Sequence, residues 1–134
     1  MRFAPYLYFK GACEEALEFY AACGLGEIKD LRRYEGTPLA ERDGGAWRNK
    51  VLHAEFEGPD IRFFASDGED SEPMKGCALL LAVENVAAAK SLFDRLSDGG
   101  RVTVRFAPQF WGDDYGNFTD RFGVQWAIIR RSAP

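Results

Sequence analysis

The chain has 134 residues, 46% of them hydrophobic, including eleven Phe, five Tyr and three Trp, and carries a net charge of −4. Acidic and basic residues are interspersed, which argues against nucleic acid or an anionic membrane as partner. Three cysteines without a CxxC spacing argue against a disulfide framework or zinc knuckle and for a reducing cytoplasm, and no run approaches the ~20 apolar residues that span a bilayer. Length sets the expectation of one domain, 1–134, or of two small packed halves.

In chain order, Arg2 to Lys10 is short, aromatic and closed by Gly11, which predicts a strand. Ala12 to Cys23 changes period: Ala16, Leu17, Phe19 and Tyr20 recur at helical spacing, Glu14 and Glu15 sit in the first turn, and Gly24 ends the helix. Leu25 to Arg33 reads as a second strand. Tyr34 to Arg48, with Gly36, Pro38, Gly44 and Gly45 among many charges, reads as a loop long enough for a mobile lid. Asn49 to Glu57 and Asp60 to Ser66 form a predicted hairpin turning at Gly58-Pro59. The acidic stretch Asp67 to Lys75 is a second exposed loop.

Gly76 to Val83 follows as a fully apolar strand. Glu84 to Leu96 is the second helix, with Val86, Ala89, Leu92, Phe93 and Leu96 on one stripe, and Asp98-Gly99-Gly100 ends it. Strands are predicted over Arg101 to Phe106, around Tyr115 to Asp120, and over Gln125 to Arg130. The order strand, helix, three strands thus occurs twice, as a repeat of pattern rather than of residues. The modules fall at about 1–67 and 76–134. Pattern alone gives an α+β fold.

The residues that could carry chemistry are few. His53 is the sole histidine. Strand alternation puts Leu52, Ala54 and Phe56 on a helix-covered face and Val51, His53 and Glu55 on the other. His53 with Glu55 is a candidate binding pair or acid/base couple, Glu55 raising the basicity of His53; the plain alternative is a strand histidine with one structural hydrogen bond. In the following strand Arg62, Phe64 and Ser66 share a face. Trp111 and Tyr115 could reach over a pocket mouth and stack on a ligand, with Gly112 and Gly116 turning the chain sharply. Trp111 buried against a partner subunit or a barrel end is the structural reading. Asp113 and Asp114 read as solvated turn residues. All three cysteines read as buried packing, with Cys13 the one exception to weigh, because a helix N-terminus lowers a thiol's pKa.

Two motifs carry a resemblance: Tyr6-Leu7-Tyr8-Phe9-Lys10-Gly11 with Glu15-Ala16-Leu17-Glu18-Phe19-Tyr20, and Phe110-Trp111-Gly112-Asp113-Asp114-Tyr115-Gly116 with Asp120-Arg121-Phe122-Gly123-Val124-Gln125-Trp126. Together they resemble the PhnB-like branch of the vicinal oxygen chelate superfamily, the glyoxalase/bleomycin-resistance/dioxygenase fold. The resemblance implies two βαβββ modules in a half-open mixed-sheet barrel, with helices outside, a pocket within, and a homodimer. It also implies metal ligands, usually His, Gln or Glu, on the first and last strands of each module. Here the first strand holds no such residue, Gly76 to Val83 offers only Cys77, and Ala127 stands where a ligand Glu is expected. The metal site is therefore expected to be degenerate, with no metal and no cofactor. A methyltransferase label, which relatives sometimes carry, is not expected to apply, because no glycine-rich strand-to-helix nucleotide loop is present.

These readings lead to a cytoplasmic homodimer binding a small organic molecule in an aromatic pocket, with His53, Glu55, Trp111, Tyr8, Phe64 and Tyr115 as lining residues. The alternative is a divergent lyase, isomerase or dioxygenase-type enzyme using His53 and Glu55, with or without a remnant metal site completed by Asp67 or the partner chain. The third reading is an interaction protein whose cavity is filled by its own Phe and Trp.

Overall fold

The computed structural model describes residues 1–132. The chain divides into two compact units, Met1–Glu72 and Pro73–Pro134. The first contains β1 (Tyr6–Phe9), α1 (Cys13–Ala22), β2 (Glu27–Arg33), β3 (Val51–Glu57) and β4 (Arg62–Asp67). The second contains β5 (Leu79–Ala82), α2 (Val86–Ser97), β6 (Arg101–Pro108), β7 (Asp114–Thr119) and β8 (Gln125–Arg130). Each unit is the predicted strand, helix, three-strand module.

The topology repeats as well. The first sheet has the order β1-β4-β3-β2 and the second β5-β8-β7-β6. In both, the strand before the helix pairs in parallel with the last strand, while the remaining pairs are antiparallel. A parallel pair needs a long connection, and each helix lies within it. Both sheets are open, with free edges.

Packing in the first unit follows the two periods of the sequence. Leu7, Phe9, Ala54, Phe56, Phe63 and Ala65 lie buried together with Ala16, Leu17 and Tyr20 of α1. Phe56 and Phe63 are cross-strand partners stacked at 4.9 Å, and Tyr20 meets both rings edge-on at 6.5 and 6.2 Å. Such pairs add to the area term. In the second unit Ala89, Phe93 and Leu96 of α2 are buried with Phe118, Trp126 and Ile128, Phe93 packing T-shaped on Phe118 at 5.0 Å. Val86, expected on this stripe, is 48% exposed, because it is the first residue of α2 and begins ahead of the sheet contact.

Three expectations are corrected. The 34–48 segment is not irregular throughout: Pro38–Gly45 forms short 3-10 turns joined by a kink at Arg42–Gly44, started by Pro38 with its fixed φ. The segment is also latched. The Tyr34 hydroxyl donates to the Asp67 carbonyl at 2.5 Å, and Trp47 packs edge-on against Tyr34 at 6.2 Å. The apolar strand is shorter than the expected Gly76 to Val83, β5 spanning Leu79–Ala82, and as an edge strand paired with β8 it leaves Leu80 56% exposed. Finally, Gly112 has φ of 103° and does turn the chain, but Gly116 lies inside β7. A side chain there would meet the Phe106 backbone and Phe93, so its role is close approach rather than turning.

Candidate functional site

The face of the first sheet opposite α1 is built by alternation. In β1, Leu7 and Phe9 are buried while Tyr6 and Tyr8 are 37% and 63% exposed. Tyr6 pairs with Phe64 and Tyr8 with Ser66 across the parallel ladder, and Phe64 pairs with Glu55 across the next. His53, two residues before Glu55, pairs with Arg32 on the edge strand β2. One face therefore carries Tyr6, Tyr8, Phe64, Ser66, His53 and Glu55.

Within that face the rings form a contiguous shelf. The His53 imidazole stacks on Phe64 at 5.6 Å and 25°. Tyr6 lies 4.9 Å from Tyr8, 6.2 Å from Phe64 and 5.8 Å from His53, centroid to centroid. The Tyr6 hydroxyl is 3.1 Å from His53 Nδ1. The Arg62 guanidinium sits 5.2 Å over the Phe64 ring and bonds Glu55 Oε1 at 2.9 Å through Nη2 and at 3.1 Å through Nε. His53 and Glu55 thus share a face but have different partners, Tyr6 and Arg62. On this face the charges of Arg62 and Glu55 offset each other in that ion pair.

Trp111 and Tyr115 belong to the second unit. Trp111 is 49% exposed and Phe110 97%; they meet T-shaped at 5.0 Å, and Trp111 meets Tyr115 at 5.9 Å. Asn117 Nδ2 donates to the Tyr115 hydroxyl at 3.1 Å, while the Gln109 side chain donates to the carbonyls of Ala107 and Tyr115 at 3.0 and 3.2 Å. Asp113 accepts the Ser132 backbone N–H at 3.0 Å. Asp114 is not a solvated turn residue: it is buried and ion-paired with Arg130, because it opens β7 opposite Arg130 in the ladder.

The thiols also depart from expectation. Cys77 is exposed rather than buried, lying just ahead of β5 rather than within it. Cys13 opens α1 but is wholly buried. Burial first, and then the charges of Asp67 and Glu14, push its thiol well above the usual range, so the lowering expected of a helix N-terminus is outweighed. Asp67 is occupied too. Its carboxylate accepts the backbone N–H groups of Gly11, Cys13 and Val51 at 2.8, 3.0 and 2.9 Å. That role has no sequence signal beyond an acidic residue at a strand end.

The metal of the superfamily does not fit these residues. The strand positions where the resemblance expects ligands hold Tyr6 and Tyr8 in β1, leucines in β5 and Ala127 in β8. Among the described residues no group of three or more His, Cys, Asp or Glu could hold a metal ion. One imidazole among aromatic rings, with the Glu55 carboxylate on that face paired to Arg62, is a poor donor set for a divalent cation.

A family described as 3-demethylubiquinone-9 3-methyltransferase matches residues 1–129. The chain belongs to this family. Protein YjdN of Escherichia coli (strain K12) is 26% identical over 138 residues, spanning 96% of this chain and 94% of that protein. The crystal structure of protein PA1353 from Pseudomonas aeruginosa matches with a TM-score of 0.86 at 32% identity over 99% of both chains. A PhnB protein from Bacillus cereus matches at 0.82 with 21% identity, over 97% of this chain and 99% of its own. A glyoxalase/bleomycin resistance protein from Albidiferax ferrireducens T118 gives 0.63 at 12%, over 97% and 98%, a likeness of fold. The chain thus shares its α+β fold with the PhnB protein and with the glyoxalase/bleomycin resistance protein. The family's methyltransferase description, not expected from the sequence, does apply as a family description.

Proposed function

We propose that this protein binds a small planar organic molecule without a catalytic metal, as a cytoplasmic homodimer. The observation that supports it is the shelf of Tyr6, Tyr8, Phe64 and His53. Rings 4.9 to 6.2 Å apart with exposed tyrosine faces offer stacking area, and the imidazole and phenols supply a few oriented polar groups. Trp111 and Tyr115 are a second aromatic group for the same kind of ligand. Methyl transfer is outside this reading: β1 enters α1 through Lys10-Gly11-Ala12 and β5 enters α2 through Val83-Glu84-Asn85, neither a glycine-rich nucleotide turn.

The test is a calorimetric screen of planar ring compounds, including a quinone of the kind in the family's description, on metal-free protein. A hit should bind at micromolar Kd. Tyr8→Ala, which removes a half-exposed ring, should weaken it about tenfold, or ~1.4 kcal/mol. Binding that requires added zinc, manganese or iron would overturn the metal-free reading.

The Tyr6–His53 contact favours one alternative, a lyase or isomerase in which His53 moves a proton. Under it, His53→Ala still binds the ligand but no longer converts it. Conversion that survives the substitution removes His53 from the chemistry.

A further inference from the structure

Tyr6 was not among the lining residues expected from the sequence, yet its hydroxyl lies within hydrogen-bond distance of the sole histidine, 3.1 Å from Nδ1. The direction of that bond decides what His53 can do. Neutral imidazole carries one proton, so either Tyr6 donates to an unprotonated Nδ1 and the proton sits on Nε2, or Nδ1–H donates to the phenol oxygen and Nε2 is an acceptor. A phenol is a stronger acid than a neutral imidazole N–H, and an imidazole nitrogen a stronger base than a phenol oxygen. The first arrangement pairs the better donor with the better acceptor. Stacking of the imidazole on Phe64 at 25° keeps the ring in the plane where this bond is made.

We infer that Tyr6 is a positioning residue that holds the His53 proton on Nε2, so that the aromatic shelf presents an N–H donor to its ligand. The ligand class that follows is a planar ring system bearing a hydrogen-bond acceptor, such as a carbonyl, rather than a donor or a bare hydrocarbon. The preference for an acceptor rests on the binding role proposed above; the proton's position does not.

Because the protein has one histidine, long-range proton–nitrogen correlation spectra of the whole chain show one imidazole. With the ring neutral, wild-type protein should give two well-separated nitrogen resonances, with the proton on Nε2 and Nδ1 as the accepting nitrogen. Tyr6→Phe keeps the ring and removes the hydroxyl, so the Nδ1 resonance should move and the separation shrink as the tautomers average. Tyr8→Phe, which removes a hydroxyl with no bond to His53, should leave the spectrum in place and controls for general disturbance of the shelf. A proton on Nδ1 in the wild type, or a spectrum unmoved by Tyr6→Phe, would overturn the assignment.

Coumarin and naphthalene then probe the ligand class, being fused rings with and without a carbonyl. Coumarin should bind the wild type about tenfold more tightly, and Tyr6→Phe should reduce that preference while leaving naphthalene unchanged. Equal affinity for the two probes would overturn the acceptor preference. Binding of neither overturns it together with the binding role, and the spectra decide the role of Tyr6 in either event.

Discussion

Asp67 accepts the backbone N–H of Cys13 at 3.0 Å, which sets a carboxylate beside the start of α1 and against a thiol that is wholly buried. Burial, reinforced by the charges of Asp67 and Glu14, holds that thiol in its neutral form. Cys23 is also buried and Cys77 is exposed. Native protein treated with a thiol reagent at mildly alkaline pH should therefore label once per chain, at Cys77. Cys77→Ser should label only after denaturation. Rapid native labelling at Cys13, read by peptide mass, would show that the start of α1 opens readily.

The same carboxylate is the clasp of the first unit. Gly11 and Cys13 lie far from Val51 and Asp67 in sequence, yet the backbone N–H groups of all three donate to the Asp67 carboxylate. Asparagine keeps the size but has one acceptor oxygen, and its amide group would face N–H donors. Asp67→Asn should cost about 2–3 kcal/mol, the scale of charge-assisted bonds broken in a buried place. Urea unfolding measures this directly; a loss below about 0.5 kcal/mol would mean water replaces the bonds without cost.

In the second unit the corresponding anchor is Asp120. It accepts the N–H groups of Phe122 and Val124 and the indole N–H of Trp126 at 2.9, 3.0 and 2.9 Å. Trp126→Phe keeps an aromatic ring in the core and removes that last donor. The expected loss is about 1–3 kcal/mol from the buried acceptor and the smaller ring, seen as a lower unfolding midpoint. A variant as stable as the wild type would show the indole bond to be dispensable.

How far the sequence could be read depends on what each residue's role leaves in the pattern. Strands and helices that bury one face declare themselves by period: β8 falls at Gln125–Arg130 as expected, and the two helices lie within a residue or two of their predicted ends. The strand face bearing His53, Glu55 and Phe64 follows from the same alternation. What alternation cannot carry is the partner of each polar group. Glu55 binds Arg62 rather than His53, and Asp67 and Asp114 bind groups brought close only by folding. Tyr6 was legible as a strand residue, but its bond to His53 spans 47 positions. Gly112 and Gly116 look alike in sequence, and only backbone geometry separates a turn from a close approach.

That distinction has a measurable consequence. A Cβ at Gly116 would lie 2.8 Å from Phe106 Cα and backbone N and 2.7 Å from Phe93 Cε2. The first two are backbone atoms and cannot swing aside. Gly116→Ala should therefore cost about 1–3 kcal/mol as overpacking. Pairing it with Phe93→Leu relieves only the ring contact and should recover only part of the loss. Full recovery would place the whole conflict at Phe93.

Acid should weaken the tie between α1 and β2. Arg33 grips Glu14 with two bonds, Nη1 to Oε1 at 2.9 Å and Nη2 to Oε2 at 2.8 Å, and Nη1 also donates to the Asn49 carbonyl. The hydrogen bond from Arg33 is the main cause that holds the Glu14 carboxyl below its ordinary value near 4.5; partial burial opposes it, and the Arg33 and Lys50 charges add to it. A folded value below the unfolded one means the stabilisation is fully present above about pH 4.5 and is lost as pH falls through the folded value. Both side chains are 38% exposed, so solvent screening limits the contribution to about 0.5–1 kcal/mol. Glu14→Gln removes the titration. The wild type should therefore exceed Glu14→Gln in stability by that amount at neutral pH, and the difference should vanish in strong acid. High salt should shrink it at neutral pH. A difference that persists unchanged at low pH would assign the effect to packing of the side chain, not to its charge.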